Sequence, residues 1–68
     1  MNRNLLIYEM NERGFTVTSL ARAIGISKSA LSKKMNGHSE FTLGEIQRIC
    51  DALRLESPIP IFFNQKVS

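Results

Sequence analysis

The sequence predicts an all-α fold of four or five short helices, and three observations lead to this prediction. Apolar residues recur at helical spacing, and no stretch before residue 58 alternates apolar and polar residues for long, as a strand would. Three segments begin with a hydroxyl residue that can cap a helix. The chain has 68 residues, which leaves room for one small core, so we expect residues 1–68 to form a single compact domain.

Four helices can be placed by their apolar spacing and by the residues that flank them. They are expected to span about residues 3–12, 17–24, 28–36 and 43–53. In the first helix, Leu6 and Met10 share a face, and Gly14 follows as a residue that tolerates the left-handed conformation found after helix ends. Asn36 and Gly37 are a plausible stop for the third helix.

Three of these helix starts share one arrangement. Thr16, Ser27 and Thr42 can each accept a hydrogen bond from backbone N–H groups of the first helical turn. Each cap lies between two apolar residues in the spacing of a hydrophobic staple: Phe15 with Leu20, Ile26 with Leu31, and Phe41 with Ile46. Thr42 and Glu45 add the S/T-x-x-E pattern of a capping box.

The C-terminal segment, residues 58–68, is a tail whose structure the sequence defines least. Pro58 and Pro60 bias the residues before them toward extended geometry, so we expect Ile59 to be non-helical and Pro60 to open a single turn through Asn64. That turn would close the core with apolar side chains, namely Ile61 with Phe62 or Phe63. The alternative is an extended strand that pairs with a second subunit.

Composition narrows the classes of protein to which the chain can belong. With 43% apolar and 22% charged residues it is typical of a globular protein. No apolar run approaches the roughly 20 residues that span a bilayer, and no signal-peptide core is found, so we expect a cytoplasmic protein with no membrane partner. The single cysteine, Cys50, excludes an internal disulfide; we expect a buried thiol, with a reactive one as the alternative.

The positive charge is concentrated in the middle of the chain. The net charge is +3, and all six acidic residues lie outside residues 13–39. That window carries the cations Arg13, Arg22, Lys28, Lys33 and Lys34. A purely cationic block favours a polyanionic partner, and charges scattered by chance over a solvated surface are the alternative.

A tight corner is predicted between the second and third helices. Only three residues separate Ile24 from Lys28, so the two axes must cross steeply and approach closely. Ala21 is small enough for the close approach, Gly25 can supply a positive φ, and Ile26 would fill the corner from beneath.

The third helix is predicted to expose a face without acids. At about 100° per residue, Leu31 and Met35 turn inward, while the opposite face carries polar side chains: Ser29, Ser32, Lys33 and Asn36, with Lys28 at its edge. Serine and lysine can donate hydrogen bonds to base edges and phosphates, and an α-helix fits the major groove of B-DNA. A solvated face is the alternative, although such faces usually mix glutamate with lysine.

These residues resemble a known family. The run Leu20-Ala21, Gly25-Ile26-Ser27, Leu31 and Asn36-Gly37 is similar to the helix-turn-helix of the Cro/cI-type, or lambda-repressor-like, DNA-binding domains, and the resemblance extends over roughly residues 3–63. It implies a lambda-repressor-like domain of four or five helices, with the third lying in the major groove as recognition helix. It also implies homodimers on pseudo-palindromic operators.

The resemblance assigns candidate DNA contacts by position. Base reading falls to Lys28, Ser29, Ser32 and Lys33 on the third helix. Phosphate contacts fall to residues at the start of the second helix and around the third: Thr16, Val17, Thr18, Ser27 and Asn36. The cations Arg22 and Lys34 would add phosphate contacts. His38 is expected to be a loop residue, and a phosphate contact is the alternative.

Two features depart from the family pattern. Many relatives carry an acid at the position of Met35, paired with an arginine of the first helix, whereas here Met35 and Met10 would make an apolar contact. The loop "HSEF" after the third helix is also poorer in cations than in several phage repressors, which argues against a contact of this loop with the minor groove or with phosphates.

The expected function is therefore sequence-specific binding of double-stranded DNA by a small transcriptional regulator. The absence of a second domain favours a phage or prophage Cro-like repressor, controlled by its expression level, over an inducible repressor with a ligand sensor. An antitoxin or a restriction-modification controller that represses its own operon is an alternative. A protein-interaction module is a further alternative, for which the apolar "PIPIFF" segment is the candidate surface.

The sequence offers no arrangement of residues suited to catalysis. It has one histidine, no nucleophile paired with a histidine at a supporting spacing, no phosphate-cradling glycine loop and no cluster of metal ligands. We expect no enzymatic activity, no cofactor, no metal site and no small-molecule ligand.

Overall fold

The structure is a computed structural model that describes residues 1–63, and all regular elements in this range are helices. Five are present: α1 (Arg3–Glu12), α2 (Val17–Ile24), α3 (Lys28–Met35), α4 (Leu43–Leu53) and α5 (Ile59–Phe62). The all-α prediction is confirmed, and α1, α2 and α4 have the expected bounds. Helix α3 ends one residue earlier than expected, because Asn36 forms its C-cap.

One buried cluster holds the five helices together. Every helix contributes to it: Leu6 and Met10 from α1, Leu20, Ala21 and Ile24 from α2, Leu31 and Met35 from α3, Ile49 and Leu53 from α4, and Ile61 from α5. Phe15, Ile26 and Phe41, the residues that precede the three caps, pack against this cluster. The turn between α2 and α3 is thus supported from beneath by the same core that the other helices share.

The three predicted helix caps are confirmed. The Ser19 N–H donates to Thr16 Oγ1 over 3.1 Å, and the Ala30 N–H donates to Ser27 Oγ over 3.0 Å. At the start of α4, the Glu45 N–H donates to Thr42 Oγ1 over 3.1 Å, and Glu45 Oε1 accepts from the Thr42 N–H over 2.9 Å. Each cap satisfies a backbone group that a helix start leaves without a partner.

One further cap and one capping box were not predicted. The Asn2 side chain caps α1, because its Oδ1 accepts from the Leu5 N–H over 3.0 Å. The start of α2 is a reciprocal capping box, since Ser19 Oγ also accepts from the Thr16 N–H over 2.9 Å. The usual capping-box pattern has glutamate or glutamine at the third helical position. Ser19 occupies that position here, so the pattern did not predict this capping box.

The four longer helices end in the same way. Each is followed by one residue in the left-handed conformation, which is Gly14, Gly25, Gly37 or Arg54. The N–H of the next residue then donates to a carbonyl in the last turn, in the pairs Phe15 to Met10, Ile26 to Ala21, His38 to Lys33 and Leu55 to Cys50, over 2.8–3.0 Å. This is the Schellman arrangement, which satisfies carbonyls that the helix leaves free.

The prediction that Ile59 is non-helical is wrong, because α5 begins there. Pro60 is the second residue of α5, where a helix does not need the N–H that proline lacks. The Ile59 N–H donates to Ser57 Oγ over 3.2 Å, and the fully buried Ile61 accepts at its carbonyl from the Asn2 N–H over 2.6 Å. Packing of this turn outweighs the bias against helix before a proline.

The remaining predictions for the C-terminal segment have different outcomes. The extended strand is wrong for residues 58–63, which form α5 and its flanks, and Asn64 lies outside the described residues. Phe62 packs edge-on against Phe41, with ring centroids 5.2 Å apart, whereas Phe63 is exposed.

Among residues 1–63, no helix has the length and apolar content that crossing a membrane requires.

Candidate nucleic-acid interface

The corner between α2 and α3 is built as the sequence predicts. Gly25 has φ 81° and ψ 27°, and its N–H donates to the Ala21 carbonyl over 2.9 Å. The same carbonyl accepts from the Ile26 N–H over 3.0 Å, so one residue receives both bonds that close the turn. Ala21 is fully buried, which is consistent with the close approach of the two helices. Ser27 then caps α3, so only three residues separate the two helices.

An arginine from α4 secures the other side of this corner. Arg48 Nε donates to the Ile24 carbonyl over 3.0 Å, at the last residue of α2. A cation at a helix C-terminus interacts favourably with the helix dipole and satisfies a carbonyl that has no partner within the helix. Local sequence patterns do not predict this contact, because it joins residues that are distant along the chain.

Helix α3 has one buried face and one outward polar face. Leu31 and Met35 are buried in the core, as predicted. Lys28, Ser29 and Lys33 are exposed, and Ser32 is half-buried. We refer to Lys28, Ser29, Ser32 and Lys33 as the α3 face. It contains no acidic residue, and each of its side chains can donate a hydrogen bond.

At the start of α2, the groups available to a ligand are mainly backbone N–H groups, because part of the side-chain polarity is used within the protein. Thr16 and Thr18 are exposed, but Thr16 Oγ1 is engaged in the capping box, and Val17 packs against the core. The capping box satisfies the N–H of the third helical residue, Ser19. The N–H groups of Val17 and Thr18 belong to the first turn, whose amides point along the axis and are suited to an anion.

Three cations remain available at this surface. Arg22, Lys28 and Lys33 are exposed, and none of them forms an ion pair with another residue of the range 1–63. Arg13, which belongs to the same cationic block of the sequence, is paired with Glu9 on α1. The cations of this block that have no ion-pair partner within residues 1–63 therefore lie on α2 and α3.

Lys34 is placed differently from the other cations. Its Nζ lies 3.1 Å from Glu45 Oε1 and donates to the Glu40 carbonyl, also over 3.1 Å. Its side chain is only 14% exposed. In this structure the Lys34 ammonium pairs with the acid across from it, and its assignment as a phosphate contact stays a prediction.

A groove that the sequence did not predict lies beside the end of α3, and Asn36 lines it. Asn36 and His38 are exposed, and the His38 N–H closes the end of α3 on the Lys33 carbonyl over 2.9 Å. Arg3 at the start of α1 lines the same groove as Asn36. Arg3 is thus a cation beside the candidate interface that sequence reasoning missed, since helical spacing does not show which helices are neighbours.

Two ionisable groups in this region have shifted pKa values. The hydrogen bond from the Thr42 backbone N–H lowers the pKa of the Glu45 carboxyl; burial opposes this effect, and the Lys34 ammonium adds to it. Burial raises the pKa of the Cys50 thiol, and the neighbouring Asp51 charge raises it further. Cys50 is a free, buried cysteine, as predicted.

Two features that often mark metal or ligand sites are not found within residues 1–63. Within residues 1–63, no group of three or more His, Cys, Asp or Glu side chains is placed to hold a metal ion. Buried side-chain nitrogen and oxygen atoms in this range all have hydrogen-bond partners. Buried polar atoms without partners, which often mark a ligand site, are therefore not found there.

Comparison with known proteins gives one match. A family model described as Cro/C1-type HTH DNA-binding domain matches residues 6–57, which is more than half of the chain and includes α2, the corner and α3. No curated protein and no solved structure matches the chain.

Proposed function

The chain belongs to the Cro/C1-type helix-turn-helix DNA-binding family, and we propose that it is a small transcriptional repressor that occupies a pseudo-palindromic operator as a homodimer. The observation that carries the proposal is the α3 face. It combines free lysines and serines on a short helix whose opposite side is fixed in the core. A helix presented in this way can enter the major groove of a duplex.

Affinity without sequence preference would come from the free cations. Arg22, Lys28 and Lys33 would each neutralise a phosphate and release counterions, and the amides at the start of α2 would bind a further phosphate. Six such cations in a dimer correspond to a slope of log K against log salt of about −5. Adding Lys34 and one further phosphate contact per protomer would instead give about −9.

Sequence preference would come from side chains that reach base edges. Ser29 and Lys33 are exposed on α3, and Ser32 is half-buried beside them. A lysine donates well to guanine O6 and N7, whereas a serine hydroxyl serves several bases. Each good contact of this kind discriminates by about 1–3 kcal/mol, so Lys33 should carry the largest share.

Selection of bound sites from a random duplex library tests this function. The wild-type protein should enrich one half-site, repeated with two-fold symmetry and with centres about one helical turn apart. In Lys33→Ala the enrichment should weaken at specific base positions while the circular dichroism spectrum stays that of the wild type. Arg54→Ala is the matched control, because it removes the same charge from the end of α4.

The outcomes of the selection separate the parts of the proposal. Recovery of isolated half-sites would contradict the homodimer but keep the sequence-specific contact. No enrichment with the wild-type protein would contradict the operator function as a whole. Unchanged enrichment in Lys33→Ala would remove that residue from the base-reading set.

A further inference from the structure

We propose that Lys34 is a positioning residue that fixes the recognition helix against α4 and does not contact DNA. This inference rests on the proposed DNA-binding function, since it concerns how the α3 face is aimed. It also replaces the sequence-based assignment of Lys34 as a phosphate ligand with a role inside the protein.

The geometry brings three parts of the chain to one ammonium group. Lys34 is next to the last residue of α3, and its Nζ meets the Glu45 carboxylate from the first turn of α4. The same Nζ holds the carbonyl of Glu40, which belongs to the loop between the two helices. Both distances are 3.1 Å: the contact with Glu45 is an ion pair, and the contact with the Glu40 carbonyl is a hydrogen bond of ordinary length.

The carboxylate in this arrangement serves two helices at once. Glu45 Oε1 accepts from the Thr42 N–H as part of the capping box of α4 and also pairs with Lys34 on α3. Glu45 is buried, with 7% of its surface exposed. Its orientation is therefore set by the cap, and it offers Lys34 a fixed partner.

The packing of the helices explains why such a link is needed. Helices α3 and α4 each pack extensively on α2, but they make little backbone contact with each other. The corner at Gly25 fixes the first turn of α3, and the Schellman turn at Gly37 leads away from its last turn. The Lys34–Glu45 pair is a polar bridge from the far end of α3 to α4, in addition to the apolar contact that Met35 makes with the core.

Release of Lys34 to a phosphate would carry a cost that the free lysines do not face. It would break the ion pair with Glu45 and the hydrogen bond to the Glu40 carbonyl, and it would leave a buried carboxylate without its cation. Removing one partner of a buried ion pair is strongly unfavourable, whereas Lys28 and Lys33 can reach DNA without losing a partner within residues 1–63.

The salt dependence of DNA binding distinguishes a positioning role from a phosphate contact. Lys34→Met and Lys33→Met remove the same charge from adjacent residues, and both are measured on the selected operator and on a random duplex. We expect Lys33→Met to make the slope shallower by about 1.8 for a dimer, and Lys34→Met to leave it unchanged. Lys34→Met should instead lower the ratio of operator to random affinity about tenfold, which is the scale of one impaired base contact.

Glu45→Gln supplies the second test, since it removes the partner and keeps the lysine. A positioning role predicts a similar loss of the affinity ratio in Glu45→Gln, whereas a phosphate contact by Lys34 predicts no such loss. The double variant Lys34→Met/Glu45→Gln leaves no unpaired buried charge, which protects the test against unfolding of a single variant. Its affinity ratio should fall no further than that of either single variant.

The results that would overturn the inference are distinct from those that would overturn the function. A slope in Lys34→Met that becomes as shallow as in Lys33→Met would overturn the positioning role, and so would an affinity ratio that Glu45→Gln leaves intact. Absence of DNA binding by the wild-type protein would overturn the proposed function itself.

Discussion

Lys33 and Lys34 are neighbours in the sequence, yet the structure gives them different surroundings. Lys33 is exposed on the α3 face, while the Lys34 ammonium lies between Glu45 and the loop before α4. Helical spacing correctly separates buried from outward residues of α3. It does not reveal an acid on another helix, which is why the sequence assigned both lysines to DNA.

Gly25 is the residue on which the corner depends. Its φ of 81° lies in the left-handed region, and an added Cβ would meet nothing within 4 Å. The cost of a side chain there is therefore a backbone cost, and the surrounding space adds no clash. Gly44, in the first turn of α4, has no positive φ, and an added Cβ would lie 3.5 Å from an Arg48 nitrogen, an ordinary contact.

Gly25→Ala is expected to destabilise the protein by about 1 kcal/mol, because the left-handed conformation is unfavourable for a residue with a Cβ. Gly44→Ala is the matched control and should stabilise it by about 0.5–1 kcal/mol, since alanine favours a helix. For a domain of this size, 1 kcal/mol shifts the melting temperature by about 4–8 °C. Shifts of the same sign in both variants would show that backbone conformation does not govern the corner.

The starts and ends of helices were the most predictable elements. Three caps and the left-handed glycines at 14 and 25 follow from local sequence, because a cap and its partner lie within one helical turn. Arg54, a non-glycine residue with φ 56°, ends α4 in the same way and was not foreseen. The start of α5 was misjudged, since burial of Ile61 is a long-range effect that outweighs the local preference of a pre-proline residue.

The link between α3 and α4 should make part of the stability depend on pH. The folded protein holds the pKa of Glu45 below its ordinary value of 4.5, so the carboxylate contributes stability that is fully present above about pH 4.5. This contribution is lost as the pH falls through the lower pKa of the folded state, when the proton displaces the interactions with Thr42 and Lys34.

Comparison of the wild type with Glu45→Gln isolates this contribution. The difference in their free energies of unfolding, measured by urea denaturation, should be constant from pH 7 to about pH 5 and should shrink below pH 4.5. Other carboxyl groups titrate in both proteins and cancel in the difference. A difference that stays constant down to pH 2.5 would show that the interactions with Thr42 and Lys34 do not lower the pKa of Glu45.

For the molecule as a whole, the sequence indicated the family and predicted the outward polar face of α3, but not the full charge pattern. The acid-free window predicted a cationic surface. The structure shows that two of its cations, Arg13 and Lys34, form ion pairs with acidic residues outside that window. Arg3, which lies outside that window, lines the same groove as Asn36. These differences arise from contacts between residues on different helices or loops, or between neighbouring turns of α1, and composition does not encode them.

The central claim is that the α3 face enters the groove of a duplex, and an NMR titration with the selected operator tests it most directly. The amide signals of residues 28–33, together with those of Val17 and Thr18, should show the largest changes, and those of α5 should change little. Changes concentrated in α4 and α5, with the signals of residues 28–33 unaffected, would contradict the claim.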